Sequence, residues 1–167
     1  AYNMALDQAI LEQVGAGNSP PTLRFFAWTP PCLSLGQAQS AADADLVRLR
    51  ERGWGLVRRP TGGRAILHTD EITYSVALPK THPLVQGDVV TSYHRLSAAL
   101  LDGLARLGLQ AQADRRLERL RARGSGPVCF EVPSDYEITA NGGKLIGSAQ
   151  VRRFDGVLQH GALPLWG

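Results

Sequence analysis

A few short segments of this chain carry side chains that could do chemistry. The first is Arg58-Arg59-Pro60-Thr61-Gly62-Gly63-Arg64, a pair of glycines set among arginines. Glycine reaches positive φ without strain and lets a backbone come close to a ligand. Arginine offers charge-assisted donors to a phosphate or a carboxylate. Such a turn also serves as plain structure, and this one is neither a Walker A loop nor a dinucleotide fingerprint. The run continues through His68 and Asp70-Glu71 to Thr73-Tyr74-Ser75, which favours a functional reading. The second segment is Gly143-Lys144-Leu145-Ile146-Gly147-Ser148-Ala149. A lone lysine after a turn is usually a solvated surface group. The small residues Gly147 and Ser148 behind it point to close backbone packing beside a ligand. The third is Cys129, in Pro127-Val128-Cys129-Phe130-Glu131-Val132-Pro133-Ser134. Its bland reading is a small buried hydrophobe; as a thiolate it is a nucleophile. His68 and His160 are either satisfied structural histidines or hydrogen-bonding groups of a site, able to lower the Cys129 pKa. Cys32, between a Pro-Pro break and an apolar run, reads as structural, and His82 and His94 match no pattern.

The elements that must position these groups follow from spacing. Asn3 is placed to cap a first helix with Leu6, Ile10 and Val14 four apart, ended by Gly15 and Gly17. Leu23 to Trp28 reads as a strand broken by Pro30-Pro31, and Cys32 to Leu35 as a second. A helix is expected over 43–52, with Leu46 and Leu49 on one face. Trp54 to Val57 and Ala65 to Leu67 are short strands around the glycine turn, and Ile72 to Leu78 is a longer one. Thr91 to Leu107 is the clearest helix, with Tyr93, Leu96, Leu100, Leu104 and Leu107 three and four apart. A basic helix is expected from Ala113 to Arg123, then strands from Val128 on. Asn141-Gly142-Gly143 makes a hairpin turn, and Asp155-Gly156 turns into a last strand, Val157 to Leu165. Strands outnumber helices and mostly follow one another. This predicts an α+β fold, a mixed, largely antiparallel sheet flanked by helices.

Composition narrows the class. The 167 residues suit a single domain, and 44% apolar with 20% charged residues is ordinary for a globular protein. No apolar run is long enough to span a bilayer, and no signal peptide is visible. Two cysteines are too few for a disulfide framework, so free thiols in a reducing cytoplasm are expected. A net charge of +3 favours acidic partners without indicating nucleic acid. No Cys/His cluster has zinc spacing, so no metal site is expected.

Three motifs, in order, carry a family resemblance. Arg58 to Val76 (RRPTGGRAILHTDEITYSV) resembles the signature of the lipoate–protein ligase A and octanoyltransferase family. Trp28 to Gln39 (WTPPCLSLGQAQ) matches that family's upstream element, and 142–165 (GGKLIGSAQVRRFDGVLQHGALPL) its C-terminal part. The resemblance runs from about Asn3 to Leu165 and implies a biotin/lipoate ligase-like catalytic domain over 1–167. Such domains usually carry an extra N-terminal strand and further C-terminal helices, so a longer protein is expected. By the resemblance, Lys144 is the active-site lysine, binding the acyl carbonyl or carboxylate oxygen and stabilising an oxyanion. Arg58, Arg59, Thr61, Gly62, Gly63, His68, Gly147, Ser148 and His160 are then the acyl- or substrate-binding set.

Cys129, leading through Pro133-Ser134 to Tyr136-Glu137, resembles the cysteine-dependent octanoyltransferases of Gram-positive type. This implies transfer of octanoyl from acyl carrier protein to a lipoyl-domain lysine through an S-acyl Cys129. The acceptor would be the glycine-cleavage H protein or a 2-oxoacid dehydrogenase E2. No cofactor and no membrane partner are expected. Ile66, Leu67 and Val76 are placed to line an acyl tunnel, where each buried CH₂ is worth roughly 0.8 kcal/mol. The basic residues Arg115, Arg116, Arg119, Arg121 and Arg123 form a solvated face or a docking patch for acidic carriers, with Arg152-Arg153 contributing. The alternatives are a lipoate–protein ligase needing ATP and Mg²⁺, a non-catalytic paralogue that binds carrier proteins and, more distantly, a biotin ligase.

Overall fold

The computed structural model describes residues 1–113 and 138–165. Helix α1 (Tyr2–Gly15) leads to strands β1 (Thr22–Phe26) and β2 (Cys32–Leu35). A 3₁₀ turn (Ala41–Asp43) and helix α2 (Leu46–Glu51) follow, then β3 (Gly55–Arg58), β4 (Ile66–His68) and β5 (Glu71–Pro79). Helix α3 (Val89–Arg106) precedes β6 (Gln112–Ala113), β7 (Ile138–Ala140), β8 (Gly143–Arg153) and β9 (Gly156–Pro164). The main sheet runs β1-β5-β9-β8-β7-β6, with every pairing antiparallel. A second sheet runs β3-β2-β4, and there β2 and β3 are parallel. The strands flanking the glycine turn therefore do not form a hairpin. Each pairs with β2, and the loop passes over the end of that strand. The α+β reading holds, with one parallel pair inside it.

Strand alternation divides the core between two helices. Tyr74, Val76 and Leu78 of β5, with Ile146 and Val157, meet Leu96 and Leu104 of α3. Ala77 and Leu158 face the other way and meet Leu11 and Val14 of α1. The buried stripe of α1 is Met4, Asp7, Leu11 and Val14. Leu6 and Ile10 only flank it.

Several local expectations are corrected. Asn3 does not cap α1; it lies inside the helix, and its Nδ2 donates to Ala27 O. Gly15 serves packing more than termination, since a Cβ there would sit 1.8 Å from Phe154 O. The helix expected over 43–52 splits into the 3₁₀ turn and α2, each capped by its own side chain, Ser40 and Asp45. Leu46 of α2 is exposed while Leu49 is buried. Helix α3 begins earlier than Thr91, because Asp88 accepts the Thr91 amide at 2.7 Å and caps it. That hydrogen bond holds the Asp88 carboxyl below its ordinary range. Leu107 lies past the end of α3, exposed.

Asn141 (φ 51°) and Gly142 (φ 78°) form the expected tight turn between β7 and β8. The next turn is made by Phe154 and Asp155, both at positive φ, not by Asp155-Gly156. Gly156 is inside β9, where a Cβ would meet Leu11 Cδ1 at 2.6 Å. Ala113 belongs to β6; the rest of the expected basic helix, with Arg115 to Arg123, lies outside the described residues, as does Cys129. Among the described residues no helix is long and apolar enough to cross a membrane.

Candidate active site

The floor of the site is a row of small residues. Thr73, Ala162 and Gly147 lie side by side across β5, β9 and β8, and Ser75, His160 and Ala149 form the next row. Directly paired residues point to the same face, here the face that α1 partly covers. The intervening row, Tyr74, Gly161 and Ser148, points into the core under α3. There the Tyr74 hydroxyl and Ser148 Oγ share a hydrogen bond of 2.7 Å, and Gln159 Nε2 donates to Tyr74 at 3.0 Å. Burial pushes the Tyr74 phenol up, partly offset by those two bonds. The Ser148 side chain therefore faces away from the floor that Gly147 shares.

Lys144 lies over the Gly147 end of that floor. A Cβ on Gly147 would stand 2.7 Å from Lys144 Cε and 3.0 Å from its Nζ. Glycine at 147 is what leaves room for the lysine to lie flat, so the structure brings these two expected site residues together. An ammonium over a floor of small side chains can hold a carbonyl oxygen and the negative charge that develops on it.

The glycine loop forms the adjoining wall. Arg59 is buried, and its five N–H groups are all used. Nε and one Nη2 hydrogen go to Gly62 O, the other Nη2 hydrogen to Arg64 O at 2.6 Å, and Nη1 to Ser34 O and Ser34 Oγ. Burial lowers the Arg59 pKa, yet a guanidinium starts so high that it stays charged. Arg58 Nη1 similarly clasps the carbonyls of Gly36, Gln37 and Gln39. The Arg59 donors are thus spent on shaping the loop, and exposed Arg58 gives it Nη1. Gly36 lets the loop lie against the end of β2, since a Cβ there would be 1.9 Å from Gly63 O. Beside Gly62 there is open space, and Gly63 sits at φ +92°.

Two imidazoles brace this wall. His68 stacks on Trp28 with ring centroids 4.2 Å apart. Its Nδ1 is 2.6 Å from Glu71 Oε1 and its Nε2 2.7 Å from Ser34 Oγ. Thr73 Oγ1 donates to the same Glu71 oxygen and accepts from Trp28 Nε1 at 2.8 Å. His160 Nε2 is 2.6 Å from Thr61 Oγ1, and its Nδ1 is 3.6 Å from Asp7 Oδ2. His160 and Ala162 are two apart on β9 and share a face, so the loop anchor and the floor under Lys144 are neighbours. Asp7, Ser34 and Gly36 were not singled out from the sequence. The signal for Asp7 was present: a charged residue where the three-and-four spacing of Met4, Leu11 and Val14 calls for an apolar one.

The expected acyl-lining residues do not converge. Val76 is in the core under α3, on the opposite face from the floor, and Leu67 is on the exposed side of β4. Ile66 alone is half-buried on the same side of β4 as His68. Cys32 is a buried thiol whose pKa burial raises, as a structural cysteine should be. Among the described residues no group of three or more His, Cys, Asp or Glu could hold a metal ion.

Known proteins share this architecture. The chain is 50% identical to octanoyltransferase LipM of Moorella thermoacetica over 98% of its own length and 60% of that protein's. It is 46% identical to the Kyrpidia tusciae LipM, over 99% of this chain and 62% of that one. The chain thus spans about 60% of the length of these curated relatives. Among solved structures, a lipoate-protein ligase A bound with ATP superposes with a TM-score of 0.77 at 26% identity, covering 98% of this chain and 61% of that one. A bipartite lipoate protein ligase from Thermoplasma acidophilum, studied with its E2 lipoyl domain, shares the fold at TM-score 0.70 and 22% identity, over 99% of this chain and 58% of that one. Residues 1–166 match the lipoyl protein ligase A/B catalytic domain, and the chain belongs to that family.

Proposed function

We propose that the protein is an octanoyltransferase of lipoate biosynthesis, acting in the cytoplasm. Octanoyl arrives as a thioester on acyl carrier protein. The Cys129 thiolate attacks the carbonyl carbon, and the carrier thiolate leaves. The neutral amine of a lipoyl-domain lysine, on the glycine-cleavage H protein or a 2-oxoacid dehydrogenase E2, then attacks the new thioester. The Cys129 thiolate leaves, the amine proton is released, and an amide forms. Thioester exchange is nearly balanced and amide formation is downhill, so neither ATP nor a metal is called for. Lys144 supplies the positive charge at the carbonyl oxygen through both steps.

The observation that carries this reading is the Lys144 ammonium lying across Gly147, in a chain 50% identical to an octanoyltransferase over 98% of its length. The family also contains an ATP-bound ligase, so the test must separate the two chemistries. The protein is incubated with octanoyl-carrier protein without ATP, and its intact mass is measured. An octanoyl adduct is expected, absent in Cys129→Ser. In Gly147→Ala the new methyl displaces the lysine, and acylation should slow about 100-fold with folding retained, on the scale of losing one oxyanion donor. No adduct, with ATP-dependent lipoylation instead, overturns the proposal in favour of a ligase. Neither activity points to a binding paralogue.

A further inference from the structure

We propose that Asp7 is a positioning residue for the glycine loop, acting through His160. Asp7 is fully buried on α1. Its Oδ1 accepts from Arg24 Nη1 and from Ser75 Oγ. Its Oδ2 is buried without a hydrogen-bond partner among the described residues, which is costly for a carboxylate. His160 Nδ1 lies 3.6 Å from that oxygen, too far for a hydrogen bond but close enough for charge to bias the ring. A carboxylate there favours the tautomer with the proton on Nδ1. The lone pair on Nε2 then faces Thr61 Oγ1 at 2.6 Å and accepts its proton.

The consequence is a loop held from both sides. The Thr61 carbonyl accepts the Gln37 amide at 2.9 Å, and the Thr61 hydroxyl is drawn to His160. Together they set the height of Gly62, whose outer side is open. Asp7 touches no substrate in this scheme. It decides which ring nitrogen of His160 carries the proton, and Thr61 reads that choice. The effect on turnover rests on the octanoyltransferase reading; the tautomer does not.

The test uses Asp7→Asn in the ¹⁵N-histidine-labelled protein. Arg24 and Ser75 hold an amide oxygen at the place of Oδ1, so the amide NH₂ must face His160, where its positive end disfavours a proton on Nδ1. Long-range ¹H–¹⁵N correlation should find His160 protonated on Nδ1 in the parent and on Nε2 in Asp7→Asn. An Asp7 that merely paired with Arg24 would leave the tautomer alone. Thr61→Val, which keeps the side-chain shape, should leave Nδ1 protonated, because Asp7 and not Thr61 sets the tautomer. Amide exchange at 62–64 should rise about fivefold in Thr61→Val, the scale of one net hydrogen bond, by less in Asp7→Asn, where the Thr61 hydroxyl still accepts from Nε2–H, and no further in the double variant. For the octanoyl donor, KM should rise by a similar factor with kcat nearly unchanged. Nε2 protonated in the parent, an unmoved tautomer in Asp7→Asn, a shifted tautomer in Thr61→Val, additive exchange effects, or a loss confined to kcat would each overturn the proposal. A parent protein with the expected tautomer but no octanoyl adduct sinks the transferase reading alone.

Discussion

The two flanks of the glycine loop are built from the same parts to different ends. On one side Glu71, His68 and Ser34 form a carboxylate–imidazole–hydroxyl chain; on the other Asp7, His160 and Thr61 form a second. In the first, every contact is within 2.7 Å, the ring is stacked on Trp28, and Ser34 Oγ also receives Arg59. In the second, one contact is 2.6 Å and the other 3.6 Å, and a carboxylate oxygen is left over. A saturated buried network specifies one arrangement and resists change. An unsaturated one keeps slack, on the side where Gly62 faces open space. The triad-like pattern of residue types says nothing about which is which; the packing around each imidazole does.

Breaking the saturated flank should have the largest effect. His68→Ala removes the stack and leaves the buried Glu71 carboxylate short of a partner, so urea unfolding should show a loss of about 4 kcal/mol. Gly36→Ala comes next. Its methyl meets a backbone carbonyl rather than a flexible side-chain end, so a loss of about 3 kcal/mol is expected, with the loop displaced from β2. The hydroxyls allow a matched comparison. Ser34→Ala gives up two side-chain hydrogen bonds and should cost about 2 kcal/mol, whereas Thr61→Val gives up one and should cost about 1 kcal/mol. Equal costs for the pair would erase the distinction between the flanks. The smallest effect on the fold is expected for Gly62→Ala. Nothing crowds that position, so urea stability should hold or rise by about 0.5 kcal/mol through the unfolded chain. If the open side receives the acyl donor, its KM should rise all the same.

Much of this was legible in the residues. The alternation of Ile72 to Leu78, the spacing of Leu96, Leu100 and Leu104, and the Asn141-Gly142 turn each report a local preference, and each element formed there, with only the ends of α3 shifted. Local preference failed where neighbours overrode it. Gly15 and Gly156 are glycines because α1 presses on the β8–β9 turn, a contact between residues about 140 apart in sequence that no local rule contains. Asn3 looked like a cap because caps are polar, but it was needed to meet Arg24 and Ala27.

For the site, the sequence by itself determined the motifs and hence the family: the glycine loop, the Gly143-Lys144 turn and His160-Gly161. It also determined the small residues at 147, 149 and 162, whose low bulk any ligand floor requires. Only the tertiary structure decided what each group does with its bonds. It turned Ser148 into the core and Gly147 onto the floor, because strand alternation sends neighbours to opposite faces. It spent the donors of Arg59 on loop carbonyls and Ser34, because a buried guanidinium takes the nearest acceptors. And it set Asp7 behind His160, because an α-helix and a strand far apart in the chain meet across one face of the sheet.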